Sequence, residues 1–216
     1  MKRMLTVLAA AALAIAPASL AAQALGMPNW SNPKGGTGVT ISGDVAMPNE
    51  DYGKGTAFGA RGSVGLGTLT LTAGVASWKP KGAPDSYTSL SGQGAFRVIG
   101  GSLIPLAVSL QVGVARVSEA NGDPSLTRLG LGGAVSVNVP TPGLSIEPYL
   151  AVNNRWYKYS GVSGTESNLG WTLGANVGLG MLGLHLAYDS ESVGGGTTFG
   201  VIGIGAHFSL KAPIGM

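Results

Sequence analysis

The chain has 216 residues, of which 44% are hydrophobic and only 11% charged, with 37 glycines, 12 prolines and no cysteine. So few charges cannot coat a water-soluble globule, and so many glycines do not suit a helical one. Disorder is excluded as well, because it requires low hydrophobicity and high charge.

The first segment reads as a delivery signal. Lys2 and Arg3 open it, an apolar run extends from Met4 to Ala16, and Pro17 breaks that run. Ala22-Gln23-Ala24 then supplies the small-x-small exit that a signal peptidase requires. Residues 1–24 are therefore expected to be removed, with the cut after Ala24, leaving 25–36 as a periplasmic N-terminal segment. The apolar run is too short for a membrane-spanning helix, which needs about 20 residues. Setting aside Lys2 and Arg3 leaves 11 of the 13 basic residues against 10 acidic ones. No basic stripe points to nucleic acid. Without cysteine, neither a lipid anchor on an N-terminal cysteine nor a disulfide framework is available.

Beyond residue 36 the chain alternates with period two. Leu169, Trp171, Leu173, Ala175, Val177, Leu179 and Met181 are interleaved with Gly170, Thr172, Gly174, Asn176, Gly178 and Gly180. The runs from Leu106 to Val114 and from Leu129 to Val139 repeat this pattern. Successive strand side chains point to opposite faces, so each segment has one bulky apolar face and one small, polar face. Ten strands are predicted, at 37–46, 56–66, 69–79, 88–100, 105–117, 126–139, 144–158, 168–181, 183–190 and 197–210.

The connections alternate in length. Gly67-Thr68, residues 101–104, Pro140–Gly143 and Leu182-Gly183 are short, whereas 47–55, 80–87, 118–125, 159–167 and 191–196 are longer and polar. An even number of antiparallel strands with short turns at one end and long loops at the other is the pattern of a transmembrane barrel. The small face carries too little charge to meet bulk water, so it is assigned to the lumen and the bulky face to lipid. In hydrocarbon every backbone group must be paired, so such a sheet closes on itself. The predicted fold is an all-β, closed, antiparallel up-and-down barrel over residues 37–210, of ten strands with eight as the alternative. A short periplasmic tail, 211–216, follows.

Aromatic residues collect at the long-loop ends. Phe58, Trp78, Trp156, Tyr157, Trp171 and Tyr188 are read as a girdle at the membrane–water boundary, where a ring can be half buried with its polar atom wet. Phe208 and Tyr149 would form a thinner opposite rim. Asp44, Arg61, Arg97, Arg128, Glu147, Arg155 and Asp189 fall on the lumen face. They are expected to form ion pairs across the lumen, Arg97 with Glu147 among them, because an unpaired charge in a narrow barrel is costly. The competing reading is a constriction that selects solutes by charge.

With these features the chain resembles the small bacterial outer-membrane β-barrel proteins, the superfamily that includes the OmpA-like and OmpW-like barrels. The most specific piece is Gly205-Ala206-His207-Phe208-Ser209-Leu210. Its Gly205, Phe208 and Leu210 resemble the last-strand signal read by the barrel-assembly machinery, although Gly203 stands where a polar residue is usual. The resemblance implies periplasmic termini, outward-facing long loops, and outer-membrane lipid, lipopolysaccharide and the assembly machinery as partners.

Little chemistry is expected. His185 with Asp189, Ser190 and Glu191 is the one grouping that suggests a lipid-hydrolysing triad. His185 points to the lumen, however, and Asp189–Glu191 are read as entering a loop, so the required geometry is missing. Two histidines far apart in the sequence, with no cysteine, argue against a metal site. The expected role is non-enzymatic and without a cofactor, either structural or in surface interaction, with a narrow channel for small solutes or ions as the alternative and a membrane-edge lipid-modifying enzyme as a distant third.

Overall fold

The structure is a computed structural model that describes residues 23–100 and 104–211. The expected signal peptide, the short connection at 101–103 and all but the first residue of the expected C-terminal tail lie outside the described residues. The strands are β1 (Gly36–Pro48), β2 (Thr56–Gly67), β3 (Leu69–Lys79), β4 (Tyr87–Ile99), β5 (Leu106–Val117) and β6 (Leu126–Val137). They continue with β7 (Val139–Thr141), β8 (Leu144–Tyr159), β9 (Glu166–Leu179), β10 (Leu182–Ser192) and β11 (Thr198–Lys211). Every long strand pairs antiparallel with its neighbours in sequence. β1 pairs with β11 and β6 with β8, so ten long strands close into a barrel.

The local differences from the sequence reading are small and have physical causes. The sixth strand stops at Val137 rather than 139. Asn138 interrupts it, and the three-residue β7 folds back on β8 through Pro142-Gly143. Pro142 fixes its own φ and Gly143 takes the positive φ, 75°, that closes the hairpin. The β9–β10 turn is Gly180-Met181 rather than Leu182-Gly183, with Leu179 opposite Leu182. β10 runs on to Ser192, so Asp189, Ser190 and Glu191 are strand residues and not loop residues.

The faces follow the alternation. Ile41, Val45, Leu71, Leu90, Leu110, Leu131, Leu173, Leu186 and Ile204 all point outward and are exposed. A continuous apolar belt around a whole molecule is foreign to a soluble monomer and fits a hydrocarbon environment. The inward face carries Ser42, Asp44, Ala46, Ser109, Gln111, Ala134, Ser136, Ala151 and Thr172, all buried.

The lumen is not empty. Residues 25–33, part of the segment 25–36 expected in the periplasm, run inside the barrel together with Ala24, and Ala24, Met27, Asn29, Trp30 and Ser31 are each less than a tenth exposed. From Gly36 at the short-turn end the chain turns back up the axis towards the long-loop end. A turn closed by Met27 N–H donating to Ala24 C=O at 3.1 Å, with Gly26 at φ 76°, ends the climb.

Candidate functional site

The site is the lumen and the strap that fills it. At the short-turn end Lys34 is held from both sides: its N–H donates to Glu147 Oε1 at 3.2 Å, and its C=O accepts from Arg97. Higher up, Gln111 donates to the Ser31 hydroxyl, and Asn176 donates to the Ser31 C=O at 3.0 Å. Asn29 N–H donates to Asp189 Oδ2 at 3.4 Å, and Gln93 donates to Asn29 Oδ1 at 3.3 Å. Near the long-loop end Leu25 N–H donates to Ser89 Oγ at 3.2 Å, and Gln23 Nε2 donates to Asp189 Oδ1 at 3.0 Å. A segment without strand partners must satisfy its backbone groups in this way. The small-residue lumen leaves space for it.

Two clusters of charge surround the strap. In the first, Arg61 donates through Nε and Nη2 to the two oxygens of Asp44 at 2.7 and 3.0 Å. Asp44 also lies 2.5 Å from His185 Nε2, and His185 Nδ1 lies 3.2 Å from His207 Nδ1. The histidines expected to be separate therefore touch, because β10 and β11 are adjacent. Among the described residues no group of three or more His, Cys, Asp or Glu is arranged to hold a metal. Trp30 of the strap packs edge-on against His185, with centroids 4.6 Å apart, and the Arg61 guanidinium sits 5.0 Å from its ring centre. Cation–π contact of this kind is strengthened away from water.

The second cluster lies nearer the long-loop end. Arg155 donates to Asp189 at 2.8 and 2.7 Å and to Glu191 at 2.8 Å, and Arg128 donates to Glu191 at 2.7 Å. Tyr157 and Asn168 also donate to Glu191, and Thr172 donates to Asp189. Glu191 is not among the lumen charges expected from the sequence, because the loop predicted at 191–196 takes it in, whereas β10 runs to Ser192. Its odd-numbered phase with His185 and Asp189 was the available signal.

Several expected positions are corrected. Arg97 and Glu147 do not pair: Glu147 accepts from Ser136 and from the Lys34 backbone. Trp78 and Tyr157 do not join the girdle. Both are buried in the lumen, Trp78 stacked on Tyr87 at 5.7 Å and Tyr157 under the Arg128 guanidinium. Tyr149 is no rim residue either, since it packs inside with Trp30 and Ala187. Phe58 and the edge-on pair Trp171 and Tyr188, 5.5 Å apart, do face outward, and Trp156 is half-buried on the same face. Trp78 belongs instead to a lid. Tyr52 stacks on Phe199 at 4.7 Å and tilts against Trp78, and Ala24 and Met27 pack beneath.

In the last strand Phe208 and Leu210 point outward and Gly205 inward, where a side chain would strike the His185 ring. Gly203 now has a physical reason. A Cβ there would lie 2.7 Å from Pro28 Cγ and 2.9 Å from Trp30 Cη2, so a side chain would collide with the strap. Beside the upper strap lie gaps of about 40 and 20 Å3. A larger cavity of about 290 Å3 lies towards the short-turn end, with Trp30, His207, Glu147 and Ser209 in its wall.

No protein-family model matches the sequence, and no curated protein matches it. Solved structures do. The β-domain of the Bordetella autotransporter BrkA is similar at a TM-score of 0.55 and 13% identity, covering 81% of this chain and 100% of its own. Neisserial surface protein A matches at a TM-score of 0.42 and 13% identity, over 81% of this chain and 98% of that one. The N-terminal barrel domain of Pseudomonas aeruginosa OprF matches at 0.38 and 10% identity, over 82% and 99%. The BrkA likeness extends to the fold alone. Together with the closed ten-strand sheet, it makes this chain, in fold, a closed antiparallel up-and-down β-barrel of ten strands, as the strand pattern predicts.

Proposed function

We propose that the protein is an integral barrel of the bacterial outer membrane whose lumen is closed by its own N-terminal strap, and that its role is non-enzymatic, structural or in surface interaction. The observation that carries this reading is the strap: residues 25–33 fill the lumen and bond to side chains on opposite walls. A closed lumen moves the functional surface to the long loops and the outer wall. The mature protein in planar bilayers is expected to show little steady conductance, and a variant lacking 25–33 is expected to conduct. Steady conductance of the unaltered protein would overturn the closed state.

A second reading, a narrow solute passage with a displaceable strap, is favoured by one feature. The strap is held largely by polar bonds that water can replace, and the cavity of about 290 Å3 lies beneath it. A voltage- or solute-dependent opening of the unaltered protein would support this reading over the first.

A further inference from the structure

The outer wall carries one row that the lumen does not explain. Arg116 on β5 pairs with Thr127 on β6, and Thr127 pairs with Lys158 on β8. These three residues share the outward phase of their strands, at the long-loop end and beside the girdle residue Trp156. Adjacent strands lie about 4.8 Å apart, so the backbones that carry the two cations are about 10 Å apart along the row. Both are exposed, and neither forms an ion pair among the described residues. Arg116 is also held in place: Nη1 donates to Thr127 Oγ1 at 3.2 Å and Nη2 to Ser125 Oγ at 3.1 Å. Nε and the remaining N–H groups are left to bind a ligand. Below the row the wall is apolar, with Leu129, Leu131, Val112 and Val152 exposed.

We propose that Arg116, Thr127 and Lys158 form a binding site for the phosphate of a phosphorylated glycolipid in the outer leaflet, whose acyl chains lie along the Leu129–Leu131 wall. The proposal rests on the membrane reading above. Two uncompensated cations at the height of the aromatic boundary, directly over an apolar wall, match a ligand that is anionic at its head and apolar below. Snorkelling would explain one long cation at a boundary, but not a guanidinium fixed by two hydroxyls next to a second cation in the same register row. Arginine suits the task because its planar fork can give a phosphate two parallel bonds.

The test uses the mature protein refolded in detergent, with native mass spectrometry counting bound lipid A in its bis-phosphorylated and dephosphorylated forms. The expected result is retention of the phosphorylated form and about 30-fold weaker retention by Arg116→Ala/Lys158→Ala, at ~1 kcal/mol for each surface cation. Lys81→Ala, in a loop away from the row, is the control and should retain lipid as the unaltered protein does. Equal retention of both lipid forms, or an unchanged double variant, would overturn the site. Folding of each variant is checked by its resistance to unfolding in sample buffer at room temperature. Conductance reads the closed-lumen proposal separately, so failure of one leaves the other standing.

Discussion

Arg97 and Glu147 grip the same residue from opposite sides: Glu147 accepts the Lys34 N–H, and Arg97 donates to the Lys34 C=O. Two lumen charges that sequence phase suggests as an ion pair are instead joined through the foot of the strap. Their opposite signs are used on the N–H and C=O of the two peptide groups that flank the Lys34 Cα rather than on each other.

This arrangement makes a specific expectation. Arg97→Ala and Glu147→Ala should each loosen the foot of the strap, and each should raise conductance in planar bilayers. Loss of a hydrogen bond to a charged group costs roughly 1.5–3 kcal/mol, with the lower end expected beside a wet cavity. In a variant lacking 25–33 the same substitutions should add little further conductance. Independent, additive effects in the truncated barrel would show that the two residues act on each other or on the pore wall.

Gly203→Leu should dislodge the strap while leaving the strand pairing intact, since the new side chain would occupy the space of Pro28 and Trp30. Gly43→Leu is the matched control, because a Cβ there meets open space. Protease access to the N-terminal segment in detergent should rise for the first variant and not for the second. Equal protection of both would mean that the strap does not occupy this position.

Arg155→Ala removes the partner shared by Asp189 and Glu191. Breaking a buried pair from one side costs about 3–5 kcal/mol, because the remaining charge stays buried and uncompensated. Urea titration of the refolded protein should show this loss, and Asp189→Asn in the same background should recover part of it. Full stability of the single variant would mean that water already enters this cluster.

Leu131→Arg, on the apolar belt, should cost about 2–4 kcal/mol if the belt meets the bilayer midplane. Ser136→Ala, facing inward beside the wet cavity, should cost less, about 1.5 kcal/mol, through its lost bond to Glu147. The reverse order in a lipid refolding titration would invert the assignment of faces.

Cysteines placed at Ser160, in a long loop, and at Thr141, beside a short turn, should label differently in whole cells with an impermeant thiol reagent. Only the first should react, and the absence of native cysteine makes the comparison clean. Equal labelling would overturn the topology.

The strands, their number and their faces were legible in the sequence because they depend on local periodicity. The alternation of Leu169 to Leu179 with small residues fixes which side chains share a face, whatever the distant partners are. The alternating loop lengths fix which ends lie together. Phase also put Asp44, Arg128, Arg155 and Asp189 inside. Phase alone cannot say whom an inward charge meets. At Trp78 and Tyr157 the strand phase pointed inward, as found, and it was the aromatic type that suggested a girdle. The strap was beyond sequence reading altogether. Leu25–Lys34 has no periodicity, and its partners are single side chains on β4, β5, β8, β9 and β10, scattered between Ser89 and Asp189. Only closure of the barrel brings those side chains around one axis, and only then do the small residues of the inner face leave a space the N-terminal segment can fill.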